Sequence, residues 1–431
     1  MNKIVLLSSV LIGCSFATHA REWSYNDCVE WAKEHNISLR QSILNEQIAG
    51  VDEEESKAAW QPSLDFATTH GYSNAPWGEN NKNSYTSSYG LNARWTVWNG
   101  GVRENNIKKS QLQSAISKLS TTDKLQSIEV DMLGVYVNLL YAKEAISIYE
   151  EAVELSKAQA DRARQLMEAG RLSKVDYAQL ESQYEQDRYA LVNAQATYDT
   201  RRMELKKLLE LGINDTIAVK NLEWTRDEVL AMVPPMDESY RMAAAIDVPL
   251  QINELEIDDA DLDVKVAKAG RMPDISLTAG VGTGYSAPGD AFATQIKRCV
   301  SESVGLTLSI PILDNKKTKS AVARANIQRL NAQLDREARE TELAQQVESW
   351  YIDLQSAQSR YIAGEQQVSS TELSNELVNE QFNLGLVNTV ELMTAHNNML
   401  EARHSLLQAK YMAMLGHKMI EYYRTSNINM P

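Results

Sequence analysis

An internal duplication narrows what this chain can fold into more than any other feature. Ile37-Ser38-Leu39 recurs as Val248-Pro249-Leu250, and Gln61-Pro62-Ser63-Leu64-Asp65-Phe66 recurs as Met272-Pro273-Asp274-Ile275-Ser276-Leu277, both at an offset of 211 residues. Further on the offset is 215: Gly90-Leu91 matches Gly305-Leu306, Tyr136 matches Tyr351, Ala142 matches Ala357, Gly170 matches Gly385 and Ala194 matches Ala409. An offset that holds for so long means that no insertion is tolerated there, as expected where helices keep register with their neighbours. The jump of four, between about residues 73 and 84, marks a variable loop. Two repeats are too few for a solenoid. They suit a pseudo-symmetric protomer that assembles further.

Within each copy the hydrophobic period changes in one order: helix, two strands, long helix, turn, helix. Ser24-Tyr25-Asn26-Asp27 has the form of a capping box and starts the first helix, and Pro62 and Pro273 end the first helix of each copy before an extended segment. From 85 to 97 the odd positions are Tyr85, Ser87, Tyr89, Leu91, Ala93, Trp95 and Val97, against Thr86, Ser88, Gly90, Asn92, Arg94 and Thr96. That is period-two alternation. It recurs from 300 to 312 as Val300, Glu302, Val304, Leu306, Leu308, Ile310 and Ile312, with Glu302 at the place of Ser87 as the polar exception. The partner strands carry Leu64 and Phe66, then Ile275, Leu277, Ala279 and Val281. Tyr72, Tyr285, Trp95 and Trp98 fall toward strand ends, where a membrane barrel places aromatic girdles. An ordinary sheet with one wet face alternates in the same way, but these strands are long against the usual five or six residues. Four strands cannot close a barrel, so strands in a membrane would require the chain to oligomerise.

The helical stretches carry a supercoil pattern. Leu125, Ile128, Met132, Val135, Leu139, Ala142, Ile146 and Tyr149 recur at spacings of three and four, as do Leu343, Val347, Trp350, Leu354, Ala357 and Tyr361. Tyr177, Leu180, Tyr184, Leu191, Ala194 and Tyr198 continue the pattern on the return helix, interrupted by Asp187. A helix over 102–168 would be about 100 Å long, far more than a globular domain needs. The turns that follow match each other. Gly170 and Gly385 supply a left-handed stop, Ser173 and Asn388 are natural caps for the next helix, and Asp176 and Glu391 stand three residues beyond the caps. Capping alone accounts for those two acids as readily as a functional role does.

Met1–Ala20 reads as a secretory signal peptide: Lys3, an apolar run over 4–13, and a small-residue cleavage site after Ala20. An alternative remains open, because Leu11-Ile12-Gly13-Cys14 resembles a bacterial lipobox, which would leave Cys14 as a lipidated N-terminus. Either reading takes the chain out of the cytoplasm. Cys28 and Cys299 form no disulfide framework and are expected to stay unpaired. The net charge of −15 gives no electrostatic case for nucleic acid. Only 19 Gly and 9 Pro argue against a whole-chain β-sandwich or barrel. No mature segment approaches the ~20 apolar residues of a spanning helix.

Taken in order, the duplicated helix–hairpin–helix pattern, the junctions Trp95-Thr96-Val97-Trp98-Asn99-Gly100-Gly101 and Ile310-Pro311-Ile312-Leu313-Asp314, and the two Gly-containing turns resemble the outer-membrane factor family, the TolC-like channels of efflux pumps and type I secretion systems. The resemblance covers Trp23 to about Tyr423. It implies a mainly α chain with a β membrane part: a long α-helical coiled-coil barrel, and four strands contributing to a trimeric twelve-stranded outer-membrane β-barrel. The organisation expected is a signal peptide (1–20), repeat 1 (21–212, strand pair 63–98), a linker or equatorial segment (213–236), repeat 2 (237–423, strand pair 274–313) and a tail (424–431). It also implies a Gram-negative outer membrane with the helices in the periplasm, contact with outer-membrane lipid, and a homotrimer that docks a periplasmic adaptor and an inner-membrane transporter of the RND, ABC or MFS type.

On that resemblance the turns form a periplasmic tip or gate, with Gly170, Asp176, Phe382, Gly385, Val387, Glu391 and Thr394 as its residues. Three Glu391 side chains around an axis would make an acidic ring. The best-known members carry an Asp where this chain has Thr394, a tyrosine where it has Phe382 and an arginine where it has Val387. Their polar latch therefore does not carry over, and a less tightly latched tip is expected. No Walker A sequence, no His-Glu-x-x-His and no His cluster at metal spacing occurs, and Gly280-Val281-Gly282-Thr283-Gly284 lies inside a strand pattern without a following helix. Neither an enzyme nor a cofactor is expected. The competing reading is a periplasmic coiled-coil adaptor or scaffold. An adaptor would carry one helical hairpin, not two equal repeats each with an amphipathic strand pair.

Overall fold

A computed structural model describes residues 22–74, 76–77, 83–222 and 224–430. The expected signal peptide and Cys14 lie outside the described residues. The first repeat runs β1 (Glu22–Trp23), α1 (Tyr25–His35), α2 (Ile37–Ala58), β2 (Ser63–Asn74), β3 (Asn83–Trp98), α3 (Val102–Glu168) and α4 (Lys174–Leu208). After β4 (Ala218–Val219) and α5 (Arg226–Val229), the second runs α6 (Met236–Ile246), α7 (Val248–Ala269), β5 (Asp274–Ala287), α8 (Phe292–Arg298), β6 (Ser301–Ser309), α9 (Lys317–Asn383) and α10 (Thr389–Thr425). Both long helices, α3 and α9, have 67 residues. Their first and last residues are related by the 215 offset read in the sequence.

The single first helix expected in each copy is two helices, and the break falls at the same repeat position. Asn36 leaves the helical region at φ −63°, ψ 121°, and Asp247 does so at φ −62°, ψ 116°. In the second copy the reason is local: the Asp247 carboxylate caps α7 by accepting from Leu250 N at 2.9 Å, and Pro249 sits in the first turn, where no N–H is needed. In the first copy the expected capping box forms, with Ser24 and Asp27 exchanging bonds.

The chain divides into two compact units. One comprises residues 38–125 and 243–346 and holds the sheet, α2, α7 and the first parts of α3 and α9. The other holds the remaining parts of α3 and α9 together with α1, α4, α5 and α10. In this second unit the repeat-related Tyr136 and Tyr351 do the same work. The Tyr136 hydroxyl is 3.1 Å from Trp23 O and 3.3 Å from Lys220 O, beside the parallel pairing of β1 with β4. The Tyr351 hydroxyl donates to Pro234 O at 2.6 Å. Each ring is buried among the helices and its hydroxyl fixes a crossing segment that has few ladder bonds of its own.

The sheet of the first unit is antiparallel throughout, in the order β2-β3-β5-β6. The two repeats meet where β3 pairs with β5. The registers sort the strands into two faces. Phe66, Leu91, Val281 and Glu302 lie in one row across the sheet, Leu64, Ala93, Ala279 and Val304 in the next, then Trp95, Leu277 and Leu306. The other face carries the rows Asp65, Asn92, Gly280, Ser303 and Ser63, Arg94, Thr278, Gly305. One face is thus apolar and the other small and polar, as the alternation predicts. Trp95 and Trp98 mark the end nearest the long helices, and Tyr72, Tyr85, Tyr89 and Tyr285 the far end. Ten residues of strand separate Trp95 from Tyr85, about 33 Å along the strand; at a tilt of about 40° that is about 25 Å, the height of the apolar band of a membrane barrel.

Two details depart from the expected strand pair 274–313. The last strand stops at Ser309, because Pro311 has no N–H to give the ladder, and Ile312 stands 96% exposed. The α8 helix, unforeseen, interrupts the second hairpin and lies on the apolar face: the Phe292 ring meets Tyr285 and Tyr89 edge to face, and Thr283 Oγ1 donates to Ile296 O. At the entry to α3, the buried Arg103 guanidinium stacks 3.5 Å from the centre of the Trp60 ring and donates to Thr96 O and Val97 O. These are carbonyls at the bulge where β3 leaves register with β5. Cys28 is buried and Cys299 exposed, and both are free thiols. Among the described residues no helix is long and apolar enough to cross a membrane.

Candidate functional site

The two turns that end α3 and α9 are built alike. Gly170 at φ 72° and Gly385 at φ 74° occupy the left-handed region that an L side chain rarely adopts. Each follows the same closing pattern: Arg171 N donates to Leu166 O (2.8 Å) and Gly170 N to Met167 O (2.9 Å), while Leu386 N donates to Gln381 O (2.9 Å) and Gly385 N to Phe382 O (3.0 Å). The next helices start on the expected caps. Ser173 Oγ accepts from Asp176 N at 3.1 Å and Asn388 Oδ1 accepts from Glu391 N at 2.9 Å.

The two acids at the third helical position then differ. The buried Thr389 hydroxyl, in the first turn of α10, donates to Asp176 Oδ1 at 2.8 Å and lies 2.9 Å from Gln179 Oε1. Asp176 therefore joins one turn to the other. The Ser173 hydroxyl first, and Thr389 second, hold its carboxyl below the ordinary carboxylate range. A depressed value means that this carboxylate stabilises the turns at pH above the usual Asp value, and that the contribution is lost as pH falls through the depressed one. Among the described residues Glu391 bonds only within its own cap, its side chain to Asn388 Nδ2 at 3.0 Å, and is otherwise exposed. Thr394, also exposed, returns its hydroxyl to Val390 O at 2.7 Å.

Phe382 is not a gap left by a missing hydroxyl. It is buried with Ala163, Leu180 and Leu392, one residue from each of the four helices, and Val387, Leu172, Tyr177 and Val378 pack around that cluster. The structure thus bonds Asp176 to Thr389 of the other turn, packs Val387 against the cluster that holds Phe382, and leaves Glu391 and Thr394 at the surface. Leu384, Leu386, Val175 and Val390 are exposed beside the turns. Replacing Thr389 by valine keeps its shape and removes the bond to Asp176; the expected cost is about 0.5–1.5 kcal/mol. It should show as faster amide exchange in 170–177 with no change in the sheet, and unchanged exchange there would count against the bond.

Above the cluster lies a polar layer that pattern reading located only by its break in the apolar stripe at Asp187. His396 Nε2 sits 2.9 Å from Asp187 Oδ2, both side chains being buried. Gln183 Nε2 donates to Asp187 Oδ1 at 2.9 Å and to Asn397 Oδ1 at 3.2 Å. His396 Nδ1 is buried and has no partner among the described residues. Gln183 and Asp187 are one helical turn apart on α4, so the sequence shows a polar pair facing inward but not what meets it. Among the described residues no group of three or more His, Cys, Asp or Glu is placed to hold a metal ion.

Both repeats match one family model, described as outer membrane efflux protein, over residues 29–210 and 240–414. The chain is 22% identical over 415 residues to the outer membrane protein TolC of Escherichia coli, covering 94% of this chain and 83% of that one. It is 20% identical to the outer membrane efflux protein BepC of Brucella suis, covering 88% and 80%. Among solved structures the fold is similar to CusC, with a TM-score of 0.82 at 16% identity over 94% of this chain and 92% of that one. It is also similar to the outer membrane protein VceC of Vibrio cholerae, with a TM-score of 0.79 at 13% identity over 93% and 95%.

Proposed function

Because the chain belongs to the outer membrane efflux protein family, we propose that it is the outer-membrane channel of a tripartite efflux or type I secretion system. Its cargo passes from the periplasm and an inner-membrane transporter to the outside. Three copies set their strands side by side as a twelve-stranded barrel, and the long helices line a water-filled passage in the periplasm. The tip meets a periplasmic adaptor and a transporter of the RND, ABC or MFS type. The chain conducts and carries out no chemical step.

The sheet is the observation that carries this reading. Val304 is 80% exposed, Leu306 70%, Leu64 69% and Phe66 65%, all on one face. Burying such a side chain is worth about 1.5–3 kcal/mol, so a sheet face of this kind left in water would aggregate. Lipid removes that cost, while the polar opposite face suits a wet lumen. The outer edges of β2 and β6 have no partner among the described residues, and a hydrocarbon layer does not tolerate open edges. Membrane fractionation and gel migration test the reading. The protein should float with outer-membrane vesicles and run as a heat-sensitive trimer; recovery as a soluble periplasmic monomer would sink it.

At the tip, Glu391 is the acid left exposed after capping, so three copies bring three carboxylates around the axis. Charge of one sign in a narrow passage concentrates counter-ions. Glu391→Ala should lower the cation-to-anion permeability ratio by about tenfold, the low end of such focusing. Planar-bilayer reversal potentials read this directly, and an unchanged ratio would remove Glu391 from the pore.

A further inference from the structure

The geometry points to one register for the seam between copies: β6 pairs with β2 of the next copy so that Ser309 lies opposite the partner's Ser63, and Glu302 lies opposite the partner's His70. This rests on the barrel reading above. Because each strand of the sheet runs opposite to its neighbour, β6 and a second copy's β2 meet antiparallel, like every pair inside the sheet.

The register follows from closure. Going round along the hydrogen-bonded row Ser63, Arg94, Thr278, Gly305, a closed barrel returns to β2 displaced by a fixed number of residues per copy. That number is even, because an odd one would turn the partner's apolar face inward. With about 3.3 Å per residue and about 4.8 Å between strands, displacements of two, four and six over four strands give tilts of about 19°, 35° and 46°. These angles hold for any number of copies. Membrane barrels tilt by about 35–45°, which leaves four or six. The opposite direction fails, because it sets Gly305 against position 59, in the turn after α2, and leaves β6 almost without a strand to pair with.

Chemistry separates the remaining two. Glu302 is the only carboxylate on the apolar face of the described sheet. A displacement of four sets it against the partner's His70, Val304 against the partner's Thr68, Leu306 against the partner's Phe66 and Leu308 against the partner's Leu64. A displacement of six sets Val304 against the partner's His70 and Leu306 against the partner's Thr68, and leaves the carboxylate facing the partner's Tyr72. Four matches apolar with apolar and acid with imidazole, and it ends both strands flush. His70 is placed for the role: Nδ1 lies 2.8 Å from the Tyr85 hydroxyl, and Nε2, exposed at the sheet edge, lies 3.1 Å from Thr68 Oγ1; in the tautomer whose Nδ1 accepts from Tyr85, Nε2 carries a hydrogen that Thr68 Oγ1 and the partner's Glu302 can share. In lipid this donor and the acid satisfy one another.

Cysteine cross-linking tests the register, in full-length protein carrying Cys299→Ser. Directly opposed residues of an antiparallel pair have Cα atoms about 4.5–5.5 Å apart, within disulfide range. Val304→Cys with Thr68→Cys should link copies covalently on mild oxidation, at least about tenfold faster than Val304→Cys with His70→Cys or with Phe66→Cys. Preference for either of the latter, or no link within an intact complex, overturns the register while the barrel stands. A chain that runs as a monomer in all three cases overturns the barrel reading itself. For the pair, Glu302→Gln and His70→Gln should each lower the temperature at which the complex separates, and the double variant should fall no further than the worse single one. Additive losses would show that the two side chains do not meet.

Discussion

Leu91→Arg should abolish accumulation in the outer membrane, whereas Asn92→Arg, one residue on, should be tolerated. Leu91 sits in the middle strand pair, with Phe66 and Val281 as its lateral neighbours on the apolar face. Asn92 lies in the row with Asp65, Gly280 and Ser303 on the polar face. A guanidinium at the midplane of a barrel's lipid face costs about 2–4 kcal/mol per chain, and on the lumen face it meets water. A threefold assembly repeats the penalty in each copy. The measurement is the amount of heat-sensitive trimer in purified outer membranes. Equal yields for the two variants would mean that the sheet does not present Leu91 to lipid, and the channel reading would lose its physical ground. A sheet with both faces in water predicts no such difference, because an arginine in place of an exposed leucine or asparagine is harmless there.

The second large effect is expected at the buried layer between α4 and α10. Removing one partner of a buried acid–imidazole pair leaves the other without compensation, at a cost of about 3–5 kcal/mol, whereas replacing both by apolar residues of similar volume is close to neutral. Asp187→Leu alone strands His396, whose Nδ1 already has no partner among the described residues, and leaves Gln183 with Asn397 only. Asp187→Leu with His396→Leu should recover most of the loss. Chemical denaturation followed by helicity gives the comparison, and a double variant no more stable than Asp187→Leu would show that the layer is not a coupled pair. The expected recovery has a consequence for its role. If stability is nearly unchanged without the layer, its value lies in register, since a polar layer in an apolar seam penalises every axial offset except the one that pairs it.

Much of this architecture was legible because its signals are local or periodic. Alternation along β3 fixes which residues share a face, since successive side chains point to opposite sides whatever the strand later pairs with. The caps at Ser24, Ser173 and Asn388 form as written, because a cap involves only residues two or three apart. The constant offset of 215 places both long helices to the residue. Local reading failed where a short competing preference intervened. Pro311 ends β6 early, the Asn36 and Asp247 positions split each first helix, and α8 forms from a segment too short to show a period.

At the tip, the sequence placed the glycines, the caps and the acids of both turns, but it could not rank Asp176 against Glu391, which hold equivalent places. Only the fold separates them, by setting Thr389, 213 residues away, against the first. The same holds for Phe382, read as a tyrosine lacking its hydroxyl and found as the centre of a cluster drawn from four helices.

The sequence by itself determined the duplication, the order of strand pair and long helical hairpin in each copy, the two faces of the long strands and the chemistry of the turns. The tertiary structure alone decided that β3 meets β5, so that two half-sheets become one; that His396 answers Asp187 across 209 residues; and that neither edge of the sheet has a partner among the described residues. The division has a physical cause. Periodicity and capping are set by backbone geometry over a few residues, whereas a contact between distant segments depends on how the whole chain packs and leaves no repeating mark in either partner.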